Sequence, residues 1–244
     1  MVLGYTNGSP RREPDARQEC EEMAQETEIK CKVEEVKAFQ RALKRIRAHP
    51  LVKGKGARVH EMNLLFDTPQ GGLAKHGQLL RVRVERREGT GKRGEKRERV
   101  VLTYKSPAMR IDSPGAAGEH QVPVGRHKVR EEIEVEVAEA KALTQILEGL
   151  GLRGWFRYEK YRTTYRLPGS ARWARDLLIE LDETPVGNYV ELEGPPEAID
   201  RAAGLLGFPQ RDYTTKNYLQ LYVEDCRRRG VTPTHMLFGN EKSS

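Results

Sequence analysis

The sequence predicts an α+β protein built around a closed antiparallel β-barrel of eight strands, with helices packed on its outside. Two observations predict this fold. About eight segments alternate apolar and charged residues with a period of two, as in strands whose two faces meet different surroundings. Most of these segments are joined by connections short enough for a hairpin or a single helix. A barrel of about eight strands would give the charged faces one shared interior, wide enough for side chains or one small ligand.

The first strand of this pattern covers residues 25–33. Its apolar residues alternate with charged ones, so Glu26, Glu28 and Lys30 share the polar face. Two carboxylates and one ammonium on a single strand face are costly to desolvate without partners. Such a face lies either in solvent or in a polar interior, and one strand alone does not decide between them.

Seven later segments repeat the alternation. They are residues 58–67, 80–84, 100–105, 130–137, 155–167, 177–182 and 189–193. Apolar residues at helical spacing predict helices as well. These cover residues 36–46, 143–150 and 196–206, and a last helix begins near Thr215.

The chain divides into a barrel domain and two polar ends. Residues 1–24 have no apolar period and are predicted to be a disordered lead-in. The barrel domain is predicted to span residues 25–225, and a flexible tail to follow over residues 226–244. Two long loops are also predicted: a charged hairpin tip at residues 86–99, and the Pro/Gly-rich residues 106–128, which form either a lid or a disordered segment.

Composition limits the classes of partner. The chain has 244 residues, a formal net charge of +7 and a pI near 9.3. This basic balance suggests an anionic partner such as nucleic acid, a nucleotide or polyphosphate, and does not decide which. No specific nucleic acid is expected as the partner. Three widely spaced cysteines favour reduced thiols. Without an apolar run near the ~20 residues that span a membrane or a secretion signal, we predict a cytoplasmic protein without membrane contact. A homodimer is one option for its assembly.

The polar faces carry both signs of charge. The acids are Glu26, Glu28, Glu132, Glu134, Asp182, Glu191 and Glu193, and the bases are Lys30, Arg81, Arg83, Lys105, Lys160 and Arg162. Repetition at i, i+2 over five or six strands favours a shared polar interior over separate solvated faces. The alternative is an internal lattice of salt bridges without a ligand, which would desolvate many charges for structure alone.

The chemistry of such an interior is restricted. Clustered carboxylates take up protons unless a cation lies among them, and oxygen ligands without His or Cys suit Mg²⁺ or Mn²⁺. Clustered Arg and Lys need anions, and phosphate oxygens satisfy guanidinium groups two at a time. Metal and phosphate together indicate a polyanionic substrate and phosphoryl transfer, where positioning and charge neutralisation supply most of the rate.

These residues, in this order, resemble the CYTH superfamily, the triphosphate tunnel metalloenzymes. The matching stretches are Glu26-x-Glu28-x-Lys30, Arg81-x-Arg83, residues 102–105, Glu132-Ile133-Glu134, Lys160-x-Arg162, Asp182, Glu191-x-Glu193 and Lys216. One acidic strand is a weak signal, whereas the ordered set over residues 26–223 is specific. The loop at residues 106–128 and the polar ends depart from the family's compact members.

The resemblance implies a tunnel that binds a triphosphate-containing small molecule with Mg²⁺ or Mn²⁺. The implied phosphate ligands are Lys30, Arg81, Arg83, Lys105, Lys160, Arg162 and Lys216. The implied ligands of one metal are Asp182, Glu191 and Glu193. Glu26 and Glu28 would help to hold a second metal that positions a nucleophile, so these two and Lys30 are the catalytic candidates. Glu132 and Glu134 would either hold metal or orient the arginines.

Members that resemble this chain divide into class IV adenylate cyclases and triphosphatases that act on inorganic tripolyphosphate or thiamine triphosphate. Residues 102–105 and 130–134 are most similar to proteins grouped with the cyclases. Conversion of ATP to cyclic AMP and pyrophosphate is therefore the first expectation, and triphosphate hydrolysis the second. A third is a non-catalytic module that binds polyphosphate or RNA ends, which would leave the acidic residues unexplained.

Overall fold

A computed structural model describes residues 25–87, 97–108 and 127–239. The predictions for residues 1–24, for most of the loop at 106–128 and for the centre of the tip at 86–99 lie outside these ranges. The strands are β1 (Gln25–Val33), β2 (His49–Pro50), β3 (Arg58–Asp67), β4 (Leu79–Arg87), β5 (Arg97–Lys105), β6 (Lys128–Val137), β7 (Arg153–Arg166), β8 (Leu178–Thr184) and β9 (Gly187–Glu193). The α-helices are α1 (Val36–Arg45), α2 (Gly72–Lys75), α3 (Ala140–Gly149), α4 (Pro196–Leu206) and α5 (Tyr218–Arg229).

Eight of the strands close into an antiparallel barrel. Their order is β1-β6-β5-β4-β3-β7-β8-β9, and β9 pairs with β1 to complete the circle. The short strand β2 adds to the outside of this circle by pairing with β7. The predicted closed barrel with external helices is therefore confirmed.

The strand register places opposite charges across from each other. Lys30 on β1 pairs with Glu191 on β9, and Lys105 on β5 pairs with Glu132 on β6. Since directly opposed residues have side chains on the same face, each pair sends one acid and one base into the barrel.

Apolar residues on the outer faces of most strands are packed under helices, whereas Ile133 and Val135 on β6 are exposed. The largest cluster lies where α1 and α4 cover β1, β8 and β9, and Ile29, Leu192 and Ile199 are fully buried in it. A second cluster joins α5 to β7, and a third joins α3 to the face of β3, β4 and β5. Burial of this outer layer stabilises the barrel at about 25 cal/mol per Å² of apolar surface. No helix in the described ranges is long and apolar enough to cross a membrane.

The last helix differs from its prediction at both ends. It begins at Tyr218 rather than near Thr215, because Asn217 caps it: its side chain accepts from the backbone N–H of Gln220, whose own side chain accepts from the backbone N–H of Asn217. The helix also continues to Arg229, beyond the predicted start of a flexible tail at residue 226.

The chain after this helix is also more ordered than predicted. Met236 is buried and forms an isolated bridge with Tyr158 of β7. Its N–H donates to the Arg157 carbonyl, and its carbonyl accepts from the Glu159 N–H, at 3.0 and 2.9 Å. The prediction of a flexible tail from residue 226 was therefore wrong for the part that the structure describes. The physical reason is that Met236 covers the aromatic cluster between β7 and α5.

The end of β9 generates a prediction about stability. Gly194 has φ of +145°, and a Cβ there would lie 2.5 Å from the carbonyl oxygen of Asp176. Gly194→Ala is expected to destabilise the protein by at least about 1–3 kcal/mol, because the backbone is strained for any L side chain and must also shift. Gly204→Ala in α4, where a Cβ meets no atom within 4 Å, is expected to be neutral or to stabilise by up to about 1 kcal/mol. Urea unfolding compares the two, and equal stabilities would contradict the account.

Candidate active site

The barrel encloses a charged cavity of about 530 Å³. The acids that line it are Glu26, Glu28, Glu61, Glu85, Glu132, Glu134, Glu180, Glu191 and Glu193. The bases that line it are Lys30, Arg81, Arg83, Arg87, Arg99, Lys105, Lys128, Arg130, Lys160 and Arg162. They come from all eight barrel strands, and they include every residue of the predicted site except Asp182 and Lys216.

Glu28 lies between two ammonium groups. One of its carboxylate oxygens is 3.2 Å from Lys30 Nζ and 2.6 Å from Lys128 Nζ. Lys30 also contacts Glu191 Oε1 at 3.1 Å. Burial works against the charge of Glu28, but the two lysines outweigh it and hold the pKa of this carboxyl far below its usual range. Glu28 is therefore an anion that protein cations already neutralise.

Lys105 bridges the carboxyl groups of Glu26 and Glu132. Its Nζ lies 2.6 Å from Glu26 Oε2 and 2.8 Å from Glu132 Oε2. Burial and the hydrogen bond with Glu26 raise the pKa of Glu132 to about 8. The pKa of Glu26 is lowered instead, because its bond with Glu132 and the Lys105 charge outweigh burial. Near neutral pH, one proton thus lies between the two acids, on the side of Glu132.

Two arginines of β4 converge on Glu134. Arg83 Nη2 lies 2.9 Å from Glu134 Oε1, and Arg81 Nη2 lies 3.6 Å from the same oxygen. Arg81 also donates to Tyr158 Oη and Thr103 Oγ1, each at 3.2 Å. Of the two roles that the sequence left open for Glu134, these contacts favour orientation of the arginines.

Asp182 does not reach the cavity. It is fully buried and accepts hydrogen bonds from Lys160 Nζ at 2.9 Å, from Arg162 at 2.6 and 2.7 Å, and from Tyr218 Oη at 2.5 Å. Glu28 and Glu191 are paired with bases as well, but they line the cavity and Asp182 does not, so Asp182 is the least accessible of the predicted metal ligands. Asp182 instead positions Lys160 and Arg162 from below, and Glu180, two residues earlier on β8, lines the cavity.

Glu180 and Glu193 are two further acids of the cavity whose pKa is raised. Burial raises the pKa of Glu180 to about 7 despite its contact with Arg162. Burial, together with the charges of Glu180 and Glu26, raises the pKa of Glu193 to about 8. A cation among these acids would relieve the repulsion and displace the protons.

The donor set therefore fits a hard divalent cation, since it offers carboxylate oxygens without His or Cys. Within the described ranges, no three Asp, Glu, His or Cys side chains are grouped closely enough to hold one in this conformation. A bound cation would require carboxylates that now contact lysine or arginine to change partner.

Lys216 is the second predicted residue outside the cavity. It precedes α5, its side chain is 47% exposed, and its Nζ lies 2.7 Å from Glu224. The predicted helix start near Thr215 would place Lys216 on α5, but the capping box starts this helix at Tyr218, two residues after Lys216. Tyr218, at the first position of α5, lines the cavity instead.

Several charged residues that line the cavity were not predicted from the sequence. These are Glu61, Glu85, Arg87, Arg99, Lys128, Arg130 and Glu180. Most of them lie an even number of residues from a predicted site residue on the same strand and so share its face. Lys128 and Arg130, for example, precede Glu132 in steps of two. Glu61 gave no such signal, because no other charged residue of β3 lines the cavity. It contacts Lys160 at 3.4 Å and Arg162 at 3.8 Å.

Comparison with known proteins agrees with this geometry. Residues 24–205 match the family model of the CYTH domain. The chain belongs to the CYTH family. Proteins with this domain generally depend on divalent metal ions. No curated protein matches the chain.

Solved structures share the fold of this CYTH protein at low sequence identity. The PH1819 protein from Pyrococcus horikoshii is 22% identical, with a TM-score of 0.59 over 82% of this chain and 98% of that one. A candidate adenylate cyclase from Vibrio parahaemolyticus is 16% identical, with a TM-score of 0.57 over 80% and 96%. A Hippeastrum protein, described as a candidate adenylyl cyclase with a dominant triphosphatase activity, is 20% identical, with a TM-score of 0.48 over 85% and 97%.

The raised pKa of Glu193 generates a prediction about pH. The folded protein holds this proton more tightly than the unfolded chain, so the stability linked to neutral Glu193 is lost as pH rises from about 4.5 to about 8. Glu193→Gln stays neutral. In metal-free buffer it is expected to melt at about the wild-type temperature at pH 5 and at least about 2–4 °C higher at pH 8.5.

Thermal unfolding at the two pH values measures this difference. Glu148→Gln, on the exposed face of α3, serves as the control and should give the same offset at both. A Glu193→Gln offset that does not grow with pH would contradict the assigned protonation.

Proposed function

We propose that this CYTH protein is a metal-dependent enzyme that acts on the triphosphate group of a nucleotide or polyphosphate. The observation that carries the proposal is the self-neutralised cavity, in which buried bases and acids from eight strands are one another's partners. A desolvated salt-bridge lattice is weak evidence for stability. A metal-complexed phosphate chain would supply partners for both signs of charge at once.

The phosphate-binding role falls to the bases. Lys30, Lys105 and Lys160 are compact cations on three different strands, and Arg81, Arg83 and Arg162 add planar groups that can bind phosphate with two bonds. Arg81 Nε has no hydrogen-bond partner among the described residues and is free for such a contact. A chain of three phosphates inside the barrel would thus meet donors from several sides.

The metal-binding role falls to carboxylates on one side of the barrel. Glu26, Glu28, Glu191 and Glu193 would hold Mg²⁺ or Mn²⁺, and Glu180 joins them in place of Asp182. When bound, the metal neutralises phosphate charge and activates the attacking oxygen. The chain's own residues position the phosphates: Glu134 and Asp182 hold the arginines and Lys160 in place.

The first choice of reaction is that of a class IV adenylate cyclase, ATP to cyclic AMP and pyrophosphate. It is supported by the resemblance of residues 102–105 and 130–134 to proteins grouped with the cyclases. Cyclisation requires the ribose 3′-hydroxyl to attack the α-phosphorus. The alternative, a triphosphatase, directs water at the γ-phosphorus, and the nearly wholly charged lining of the cavity suits the bare phosphate chain of inorganic tripolyphosphate.

A product assay tests the proposal. ATP, inorganic tripolyphosphate and thiamine triphosphate are each incubated with Mg²⁺ and with Mn²⁺, and cyclic AMP, pyrophosphate and phosphate are measured. Metal-dependent turnover of at least one is expected. The double variant Glu26→Gln, Glu28→Gln should fold and lose at least about 100-fold in kcat/KM, a transition-state loss of roughly 3 kcal/mol, because neither position can then hold a cation.

Glu34→Gln is the matched control, since Glu34 follows β1 and its side chain is exposed. Its turnover should equal that of the wild type. Chelator-insensitive binding of triphosphates without any turnover would contradict the enzyme proposal and support a non-catalytic polyphosphate or RNA-end binding module.

A further inference from the structure

A smaller pocket of about 200 Å³ adjoins one mouth of the charged cavity. It lies where β4 begins and α5 starts, and it shares Leu79, Arg130 and Asn217 with the main cavity. The two spaces are thus neighbours, with Arg130 on the wall of both.

Arg130 differs from the bases around it. Lys105 and Lys128 are each within 2.8 Å of a carboxylate oxygen, whereas Arg130 has no ion pair with any described residue. Its Nε is shielded from solvent and without a hydrogen-bond partner in the same part of the chain. Partial burial lowers the pKa of Arg130, and the charges of Glu28, Glu26 and Glu132 oppose this shift without forming an ion pair with it. Arg130 can therefore bind an anion without first breaking an ion pair. Lys105 and Lys128 would each have to break one.

The lining of the side pocket is different in kind from that of the cavity. Trp155, with 44% of its surface exposed, lines this pocket together with the aliphatic Leu79 and Leu219. The buried carboxylate of Asp67 lines it too, and its oxygens accept from the backbone N–H groups of Thr68, Leu73 and Ala74. The capping box of α5 uses the amide oxygens of Asn217 and Gln220, and their amide NH₂ groups have no partner among the described residues. Apolar walls with a few hydrogen-bond donors are typical of sites for organic ligands.

We propose that this side pocket binds the organic group of an organic triphosphate, with Trp155 against its ring and Arg130 on the phosphate nearest to it. The inference rests on the proposed function and narrows it, because it selects a nucleoside triphosphate or another heteroaromatic triphosphate over inorganic tripolyphosphate. The volume of the side pocket, about 200 Å³, is smaller than the roughly 300–1,000 Å³ of a complete small-molecule site. This volume has room for one part of a ligand and not for the whole. The pocket therefore holds a ring, and the phosphates extend into the cavity.

Isothermal titration calorimetry of the full chain with Mg²⁺ tests the inference. The ligands are ATP, thiamine triphosphate and inorganic tripolyphosphate. The wild type is expected to bind at least one organic triphosphate about tenfold more tightly than tripolyphosphate. Trp155→Ala should remove about tenfold of that affinity through lost stacking and leave tripolyphosphate binding unchanged, while Trp155→Phe should retain most of it.

Three further variants make the result independent of Trp155 alone. Arg130→Gln should weaken the organic triphosphate more than tripolyphosphate, and Arg130→Lys should recover part of the loss. Ala74→Phe, which adds a ring to the exposed end of α2 at the pocket wall, should weaken only the organic ligand.

The outcomes separate this inference from the function on which it rests. Tripolyphosphate binding with no preference for either organic ligand, or equal losses for all ligands in Trp155→Ala and Arg130→Gln, would overturn the side pocket and leave the triphosphate enzyme standing. Absence of binding for all three ligands would overturn both.

Discussion

Charges inside a closed barrel must be neutralised from within, and this constraint organises the whole structure. Arg162 contacts Asp182, Glu180 and Glu191, and Lys30 and Lys105 each join two carboxylates. In a low-dielectric interior an unpaired charge is far more costly than a paired one. The same pairs make the interior exchangeable, because a cation can replace the bases at the acids while phosphate replaces the acids at the bases.

The outer layer makes this interior possible. On β1, Ile29 and Cys31 are fully buried under helices, and Glu28 and Lys30, which alternate with them, face the cavity. Each strand thus pairs an apolar face, whose burial drives folding, with a charged face that opposes it. Asp182 extends the charged layer below the cavity wall, where it fixes the direction of two bases instead of contacting a ligand.

The fold and most of the site could be predicted from the sequence, because the period of two is visible without coordinates. This alternation shows which face of the strand a side chain is on, but not how deeply the side chain is buried. It placed Asp182 and Glu180 on one face, and only the packing of Tyr218 and Arg162 decides which reaches the cavity. Glu61 stands alone on its strand and leaves no pattern. Lys216 lies outside α5 and is exposed, because the capping box of Asn217 and Gln220 starts this helix at Tyr218.

A crystal structure of the full chain grown with Mn²⁺ and inorganic tripolyphosphate tests the central claim most directly, since manganese is located by its anomalous scattering. The account predicts manganese among Glu26, Glu28, Glu191 and Glu193. It also predicts that the Lys30–Glu191 and Lys105–Glu26 contacts are broken in favour of metal and phosphate. Phosphate bound outside the barrel, or inside with every internal ion pair intact, would contradict the account.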